Sequence, residues 1–162
     1  MNYSTIAVGE FVKGIEETCR PVAEKKGVTL NINMVDGPCD LEIDAGWLEA
    51  ALVNFLENSF DACLADSGKT GHHVDMTISR PGPGQICFSV SDNGIGMSRE
   101  VKDNLFSLFF TSKGAKGTGL GMFIANRVIR YHGGRISFES EKNSGTRFDI
   151  TLPVRKAGQS LD

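Results

Sequence analysis

Two glycine-punctuated clusters, Asp92-Asn93-Gly94-Ile95-Gly96-Met97 and Gly117-Thr118-Gly119-Leu120-Gly121, constrain this chain more than any other feature. In the first, a lone carboxylate opens a turn whose glycines take side chains away from the floor of a pocket and allow positive φ. The second leads into a helix, where unpaired backbone N–H groups can hold phosphate oxygens. An aspartate for a base and a helix start for its phosphates describe a nucleotide site. Either cluster alone reads as an ordinary turn. Their order, with Asn54 and Asn58 upstream, argues for a site.

With 162 residues the chain is long enough for one domain with a buried core, taken to span 1–153, and a loose polar tail at 154–162. A net charge of −3 leaves no electrostatic footprint for nucleic acid. Cys19, Cys39, Cys63 and Cys87 lie far apart without a CxxC pair, as expected of reduced cytosolic thiols. No apolar run approaches the ~20 residues that span a bilayer, so no direct membrane contact is expected. The chain reads as a cytoplasmic domain, whether or not its parent is membrane-anchored.

Ser4 to Val8 is strand-like, and Glu10 to Lys26 carries Phe11, Ile15, Val22 and Ala23 at helical spacing, with Pro21 as a bend and Gly27 as the stop. Val28 to Val35 alternates as a strand, and Leu41 to Ile43 is a further short one. Asp44 is a good N-cap for a helix reaching Asp66. Val74 to Ser79 and Gln85 to Ser91 form a strand pair. Ser98 to Phe106 predicts a short helix, Leu108 to Lys116 a loop, and Leu120 to His132 a helix stopped by Gly133-Gly134. A hairpin of Arg135 to Glu139 and Thr146 to Leu152 completes a mixed sheet. The fold class is α+β, a two-layer sandwich with helices on one face.

On the helix after Asp44, Leu48, Leu52, Phe55, Leu56 and Cys63 share one side, while Asn54, Asn58 and Asp61 cluster on another. Amides with a carboxylate suit a hydrated Mg²⁺, which takes oxygen ligands and bridges phosphates. Asn58 is the first choice as metal ligand and Asn54 the second. Asp92 can accept a hydrogen bond from the exocyclic amino group of adenine. Guanine offers a carbonyl oxygen there, so adenine should be preferred. Met97 to Lys116 is lid-like, with Phe106, Phe109 and Phe110 as apolar anchors. Lys113, or else Lys116, is placed to meet a terminal phosphate. His72-His73 lacks partners at metal spacing, and His132 sits where a protonated ring would favour the helix dipole.

Together these blocks resemble the ATP-binding catalytic domain of sensor histidine kinases, in the superfamily shared with gyrase, MutL and heat-shock chaperone ATPases. Asn54-Phe55-Leu56-Glu57-Asn58-Ser59-Phe60-Asp61-Ala62 resembles the N box, and Asp92 to Gly96 the first glycine box. Phe106 to Phe110 resembles the F box, and Gly117 to Gly121 the second glycine box. Gly145-Thr146 is similar to the last motif, whose threonine supports the adenine-binding aspartate. The resemblance implies a five-stranded mixed sheet with three helices, binding ATP and Mg²⁺. It implies Asn54, Glu57 and Lys113 as catalytic residues. It implies nucleotide contacts from Asn58, Asp61, Asp92, Gly94, Gly96, Met97, Lys113, Gly117, Thr118, Gly119, Leu120, Gly121 and Thr146.

The sequence departs from its relatives at two places in the N box. The ATPase branches carry a water-activating glutamate four residues before the metal-binding asparagine, where this chain has Asn54, as histidine kinases do. An amide cannot act as a general base. Many histidine kinases carry a basic residue three positions after that asparagine, where this chain has Asp61. The implied phosphoacceptor is a histidine on a separate dimerisation domain, with a response regulator receiver domain downstream. The chain reads as a fragment lacking that helical domain, monomeric when isolated. Within the same fold, an anti-sigma-type serine kinase or a non-catalytic ATP-sensing module is the alternative.

Overall fold

A computed structural model describes residues 1–111 and 119–154. Its elements are β1 (Ser4–Ala7), α1 (Val8–Lys25), β2 (Thr29–Met34), β3 (Asp40–Ile43), α2 (Ala45–Ala65), β4 (His73–Ser79), β5 (Gln85–Asp92), α3 (Arg99–Asn104), α4 (Gly121–Tyr131), β6 (Arg135–Glu141) and β7 (Gly145–Pro153). Lys113, Lys116, Gly117, Thr118 and nearly all of the expected tail lie outside the described residues.

Five strands form the main sheet in the order β2-β4-β5-β7-β6. The β2–β4 pair is parallel and the other three pairs are antiparallel, so the sheet is mixed, as expected. β1 and β3 pair with each other in a separate two-stranded sheet. Each of these runs almost directly into a helix, at Val8 and at Ala45, so they brace two helix starts and do not widen the main sheet.

α2 is the centre of the helical layer, flanked by α1 and α4 and lying over β5. Its predicted apolar stripe, Leu48, Leu52, Phe55, Leu56 and Cys63, is buried throughout. The sheet answers with a period of two: Val74, Met76 and Ile78 on β4, Phe148, Ile150 and Leu152 on β7, and Ile86, Phe88 and Val90 on β5 all point into the core. Phe55 packs against Phe148 with ring centroids 5.0 Å apart, and Phe88 meets Phe11 of α1 edge-on at 6.4 Å. α1 begins two residues earlier than expected and remains helical through Pro21, which lacks an N–H to give the helix.

Asp44 caps α2 as predicted, accepting the Trp47 N–H at 3.2 Å. Its own N–H donates to Nε2 of His132 at 3.1 Å, and His132 Nδ1 stands 2.8 Å from the Val128 carbonyl. Nε2 accepts and Nδ1 donates, which defines a neutral tautomer. His132 is therefore a buried brace between α4 and the start of α2, not a charged helix terminus. His72 and His73 also differ from expectation, because each has a carboxylate partner at 3.0 Å, Asp66 and Asp75 respectively. Among the described residues no group of three His, Cys, Asp or Glu could hold a metal.

Replacing a fully buried ring of this core with a methyl group loses both transfer energy and packing. Phe88→Ala should lower stability by about 3–5 kcal/mol in urea unfolding. A loss below about 1 kcal/mol would contradict the packing described for β5 and α1.

Candidate nucleotide-binding site

One face of α2, the loop after β5, the residues leading into α4 and the start of β7 enclose a cavity of about 640 Å³. That is the size expected for a small-ligand pocket. A second concavity of about 700 Å³ lies near the start of α2, walled by Trp47, Phe123, Ile124 and Tyr131. Its walls are mainly apolar and carry no carboxylate, so the smaller, more polar cavity is the better nucleotide site.

Asp92 ends β5 and is buried at 7% exposure, yet it lines this cavity. Burial pushes its carboxyl above the usual carboxylate range. The N–H of Gly94, 2.9 Å from Oδ1, the Ser59 hydroxyl, the N–H of Thr146 and the charge of Lys69 oppose that shift without cancelling it. The Ser59 Oγ is buried beside it without a hydrogen bond of ordinary geometry. A buried carboxylate with acceptor capacity left over favours a ligand that brings a hydrogen-bond donor. The residues therefore fit a base that carries an amino group.

The loop after Asp92 is shaped by close backbone approach. Gly94 does not line the cavity. A Cβ there would stand 2.5 Å from the carbonyl carbon of Ala62 and 2.7 Å from the nitrogen of Cys63, because the loop lies directly on α2. The Ile95 N–H then reaches the Ala62 carbonyl at 3.0 Å. So Gly94 clears a path for the helix, not for a base, and its φ is not positive. Gly96 has the positive φ, +69°, and lines the cavity with Met97, whose N–H donates to Ser140 Oγ at 2.8 Å. Thr146 lies opposite Asp92 in the β5–β7 register, and its hydroxyl is 2.8 Å from that of Ser140.

At the other wall, Asn54, Glu57, Asn58 and Asp61 all face the cavity from α2. Asn58 Nδ2 donates to Asn54 Oδ1 at 3.2 Å, so the two amides are paired along this wall. Gly119 and Gly121 line the cavity on either side of Leu120, the N-cap of α4. A Cβ on Gly121 would lie 2.4 Å from Asn54 Nδ2, so α4 starts in contact with the N-box amide. Asp61 is tied to Lys26 at the end of α1, 2.9 Å away. Both are about a third exposed, so the pair contributes under ~1 kcal/mol. Its importance is electrostatic, because the ammonium offsets an acidic group where an anionic tail would lie.

The described part of the lid is only partly an apolar anchor. Phe106 packs edge-on against Phe138 at 6.2 Å, and Phe110 lines the cavity. Phe109 is instead 69% exposed, in a left-handed conformation (φ 64°) with its N–H bonded to the Gly119 carbonyl at 3.0 Å. It fastens the lid through its backbone, and its ring faces solvent.

Residues 43–156 match the family described as histidine kinase-, DNA gyrase B-, and HSP90-like ATPase. The chain belongs to this ATPase family. It is 31% identical over 154 residues to sporulation kinase E of Bacillus subtilis (strain 168), covering 95% of the chain and 20% of that relative. Thus the chain spans about a fifth of that kinase's length. Among solved structures, the catalytic domain of histidine kinase ThkA superposes with a TM-score of 0.80 at 23% identity, covering 95% of this chain and 97% of that one. Full-length ShkA in complex with AMPPNP gives 0.83 at 24% identity, covering 99% of this chain and 33% of that one. The five-stranded mixed sheet with its helical layer is the fold of histidine kinase catalytic domains.

Within this ATPase-family site, the positions of Ser59, Ser140 and Lys142 were not legible beforehand. Ser59 lies inside the N box, and its hydroxyl could have been flagged as a polar group on an otherwise apolar stripe. Ser140 and Lys142 come from the β6–β7 hairpin, and only tertiary structure brings that hairpin to the cavity.

Two glycine variants should behave differently. Gly94→Ala meets fixed helix backbone and should unfold at clearly lower urea than the unaltered chain. Gly121→Ala meets the movable end of Asn54 and should stay folded while displacing that amide. Equal destabilisation by both would contradict the geometry. Asp92→Asn tests the buried charge. Because the folded-state pKa is raised, protonated Asp92 contributes stability below the unfolded value of ~3.9, and this is lost as pH rises through the folded value. The nucleotide-free Asn variant should therefore gain stability relative to the unaltered protein as pH increases from about 4 to 7. A flat or falling difference in melting temperature would refute this.

Proposed function

We propose that this chain is the ATP-binding catalytic domain of a two-component sensor histidine kinase, donating the γ-phosphate of Mg-ATP to a histidine on a separate dimerisation domain. The observation that carries the reading is a single cavity with a buried carboxylate, Asp92, on one wall and paired amides, Asn54 and Asn58, on the other. Asp92 accepts from the adenine amino group, and Ser59 and Thr146 support that end. Met97, Gly96, Gly119 and Gly121 border the nucleotide, with Leu120 starting the helix, while Gly117 and Thr118 are assigned to the phosphates from the sequence alone.

Asn58 is the protein ligand that would hold Mg²⁺, with Asn54 fixing its orientation. The ion supplies charge neutralisation at the phosphates. Few protein ligands are needed, since Mg²⁺ keeps several waters and takes phosphate oxygens. With an amide at position 54 and no general base there, the site retains the γ-phosphate and does not activate water efficiently. Lys113, which lies outside the described residues, is the lysine this reading assigns to that phosphate on sequence grounds, and Glu57 stands exposed at the rim beside Asn58. In the transfer, the bond from the γ-phosphorus to the bridging oxygen breaks and a bond to imidazole nitrogen forms. ADP leaves with the electron pair, and the ring proton passes to solvent. Catalysis is then mainly positioning and charge compensation.

The partners of this reading are the phosphoacceptor domain and a response regulator receiver domain that takes the phosphoryl group onward. The isolated domain is monomeric. The family match and the kinase relatives support this assignment over a serine kinase, whose N box carries the glutamate that Asn54 replaces.

The test supplies a histidine-bearing dimerisation domain separately with labelled ATP and Mg²⁺. Acid-labile, base-stable label on the histidine domain is expected, with the rate falling at least ~100-fold in Asn58→Ala. Acid-stable label on serine would support the serine-kinase alternative, and nucleotide binding without transfer the sensing module.

A further inference from the structure

Lys69 lies in the loop between α2 and β4, outside every motif discussed above, yet its ammonium is fully engaged. Nζ is 2.7 Å from the carbonyl of Asn143 in the β6–β7 turn and 3.3 Å from the carbonyl of Gly94. It is also 3.3 Å from the carboxylate of Asp66, the C-cap residue of α2. Three donors meet three acceptors from three separate segments. Asp66 is itself held, accepting from Gly68 N–H at 3.0 Å and contacting His72 Nε2 at 3.0 Å. Lys69 is thus multiply tethered, although it is partly exposed.

Gly94 links two held peptides: its N–H donates to Asp92 at 2.9 Å, and its carbonyl, gripped by Lys69, belongs to the next peptide, whose Ile95 N–H donates to the Ala62 carbonyl at 3.0 Å. The same loop is tied to the turn by the Asn143 N–H on the Ile95 carbonyl. We propose that Lys69 is a positioning residue for base recognition: it locks the Gly94–Ile95 peptide and the β6–β7 turn onto the end of α2, and so holds the Asp92 carboxylate in place for a purine amino group. The base-recognition part rests on the function proposed above.

The electrostatics agree in direction. Burial pushes Asp92 toward its neutral form, the Gly94 N–H, the Ser59 hydroxyl and the Thr146 N–H oppose it, and the charge of Lys69 adds a smaller pull in the same direction. The other groups around the carboxylate are Ser59, the N–H of Thr146, and Cys63. The Cys63 thiol is pushed up to about 12 by burial first and by the charges of Asp92 and Asp66 next, and so stays neutral. Asp66 adds a negative charge, stabilised by the hydrogen bond to His72 and by the Gly68 N–H and Lys69. Loss of the ammonium would leave Asp92 without that compensation, and would release the loop that carries its best donor.

The experiment compares Lys69→Met, Lys69→Gln and Lys69→Arg with the unaltered 162-residue chain. The Asp92 carboxyl is titrated by carbon NMR without ligand, and Mg-ADP binding is measured by calorimetry across pH. Lys69→Met should raise the Asp92 midpoint, weaken ADP by roughly fivefold or more, and move the loss of affinity at low pH upward. Lys69→Arg should restore both readouts. Lys69→Gln, which keeps a donor but no charge, should shift the midpoint as Met does, and it replaces the Met variant if that fails to fold. An unmoved midpoint, ADP affinity within about twofold of the unaltered chain, or failure of Arg to restore would overturn the proposal. If the unaltered chain binds no ADP, the purine reading fails on its own. The ligand-free titration still decides whether Lys69 governs the carboxylate.

Discussion

The site depends on one contact, the backbone of the Gly94 loop lying directly on the backbone of α2 at Ala62 and Cys63. That approach draws the end of β5 under the helix and seals Asp92 from water. Everything polar nearby follows from it. A carboxylate so placed is held above its ordinary titration range, and Ser59 is left without a regular partner. On the proposed reading, a base that brings an amino group to Asp92 would draw both selectivity and affinity from this burial.

The two walls of the cavity differ in make-up. The Asp92 wall is built from sheet and loop backbone with hydrogen bonds from Met97, Ser140 and Thr146. The α2 wall is made of amide side chains and the partly exposed Asp61–Lys26 pair. In the proposed reading the first wall meets the base and the second the solvated ion and phosphate tail. The helical layer joins both walls because α2 contributes to each, through Ser59 and Ala62 on one side and Asn54, Asn58 and Asp61 on the other.

Much of this was legible in the sequence, for identifiable reasons. The apolar periodicity of α2 and the alternation of β4, β5 and β7 have strong local signals, and the core confirms them. Asp44 as a cap was equally readable, because capping is decided within four residues. The separate β1–β3 sheet was not, since two correct short strands say nothing about which neighbour each will choose. Gly94 was assigned to the pocket floor although it clears α2, because a glycine reports the need for space without saying on which side. His132 was legible only as a residue at a helix end, and tertiary structure alone placed it against the Asp44 backbone. Lys69 had no readable signal at all, being one lysine in a polar loop whose three acceptors are scattered from position 66 to 143.

The most direct test of the central claim is calorimetric titration of the unaltered chain with ADP and with GDP under identical Mg²⁺ and salt. The account predicts measurable ADP binding at least ~10-fold tighter than GDP, since Asp92 finds a donor in one base and a carbonyl in the other. Equal affinities for the two nucleotides would contradict it.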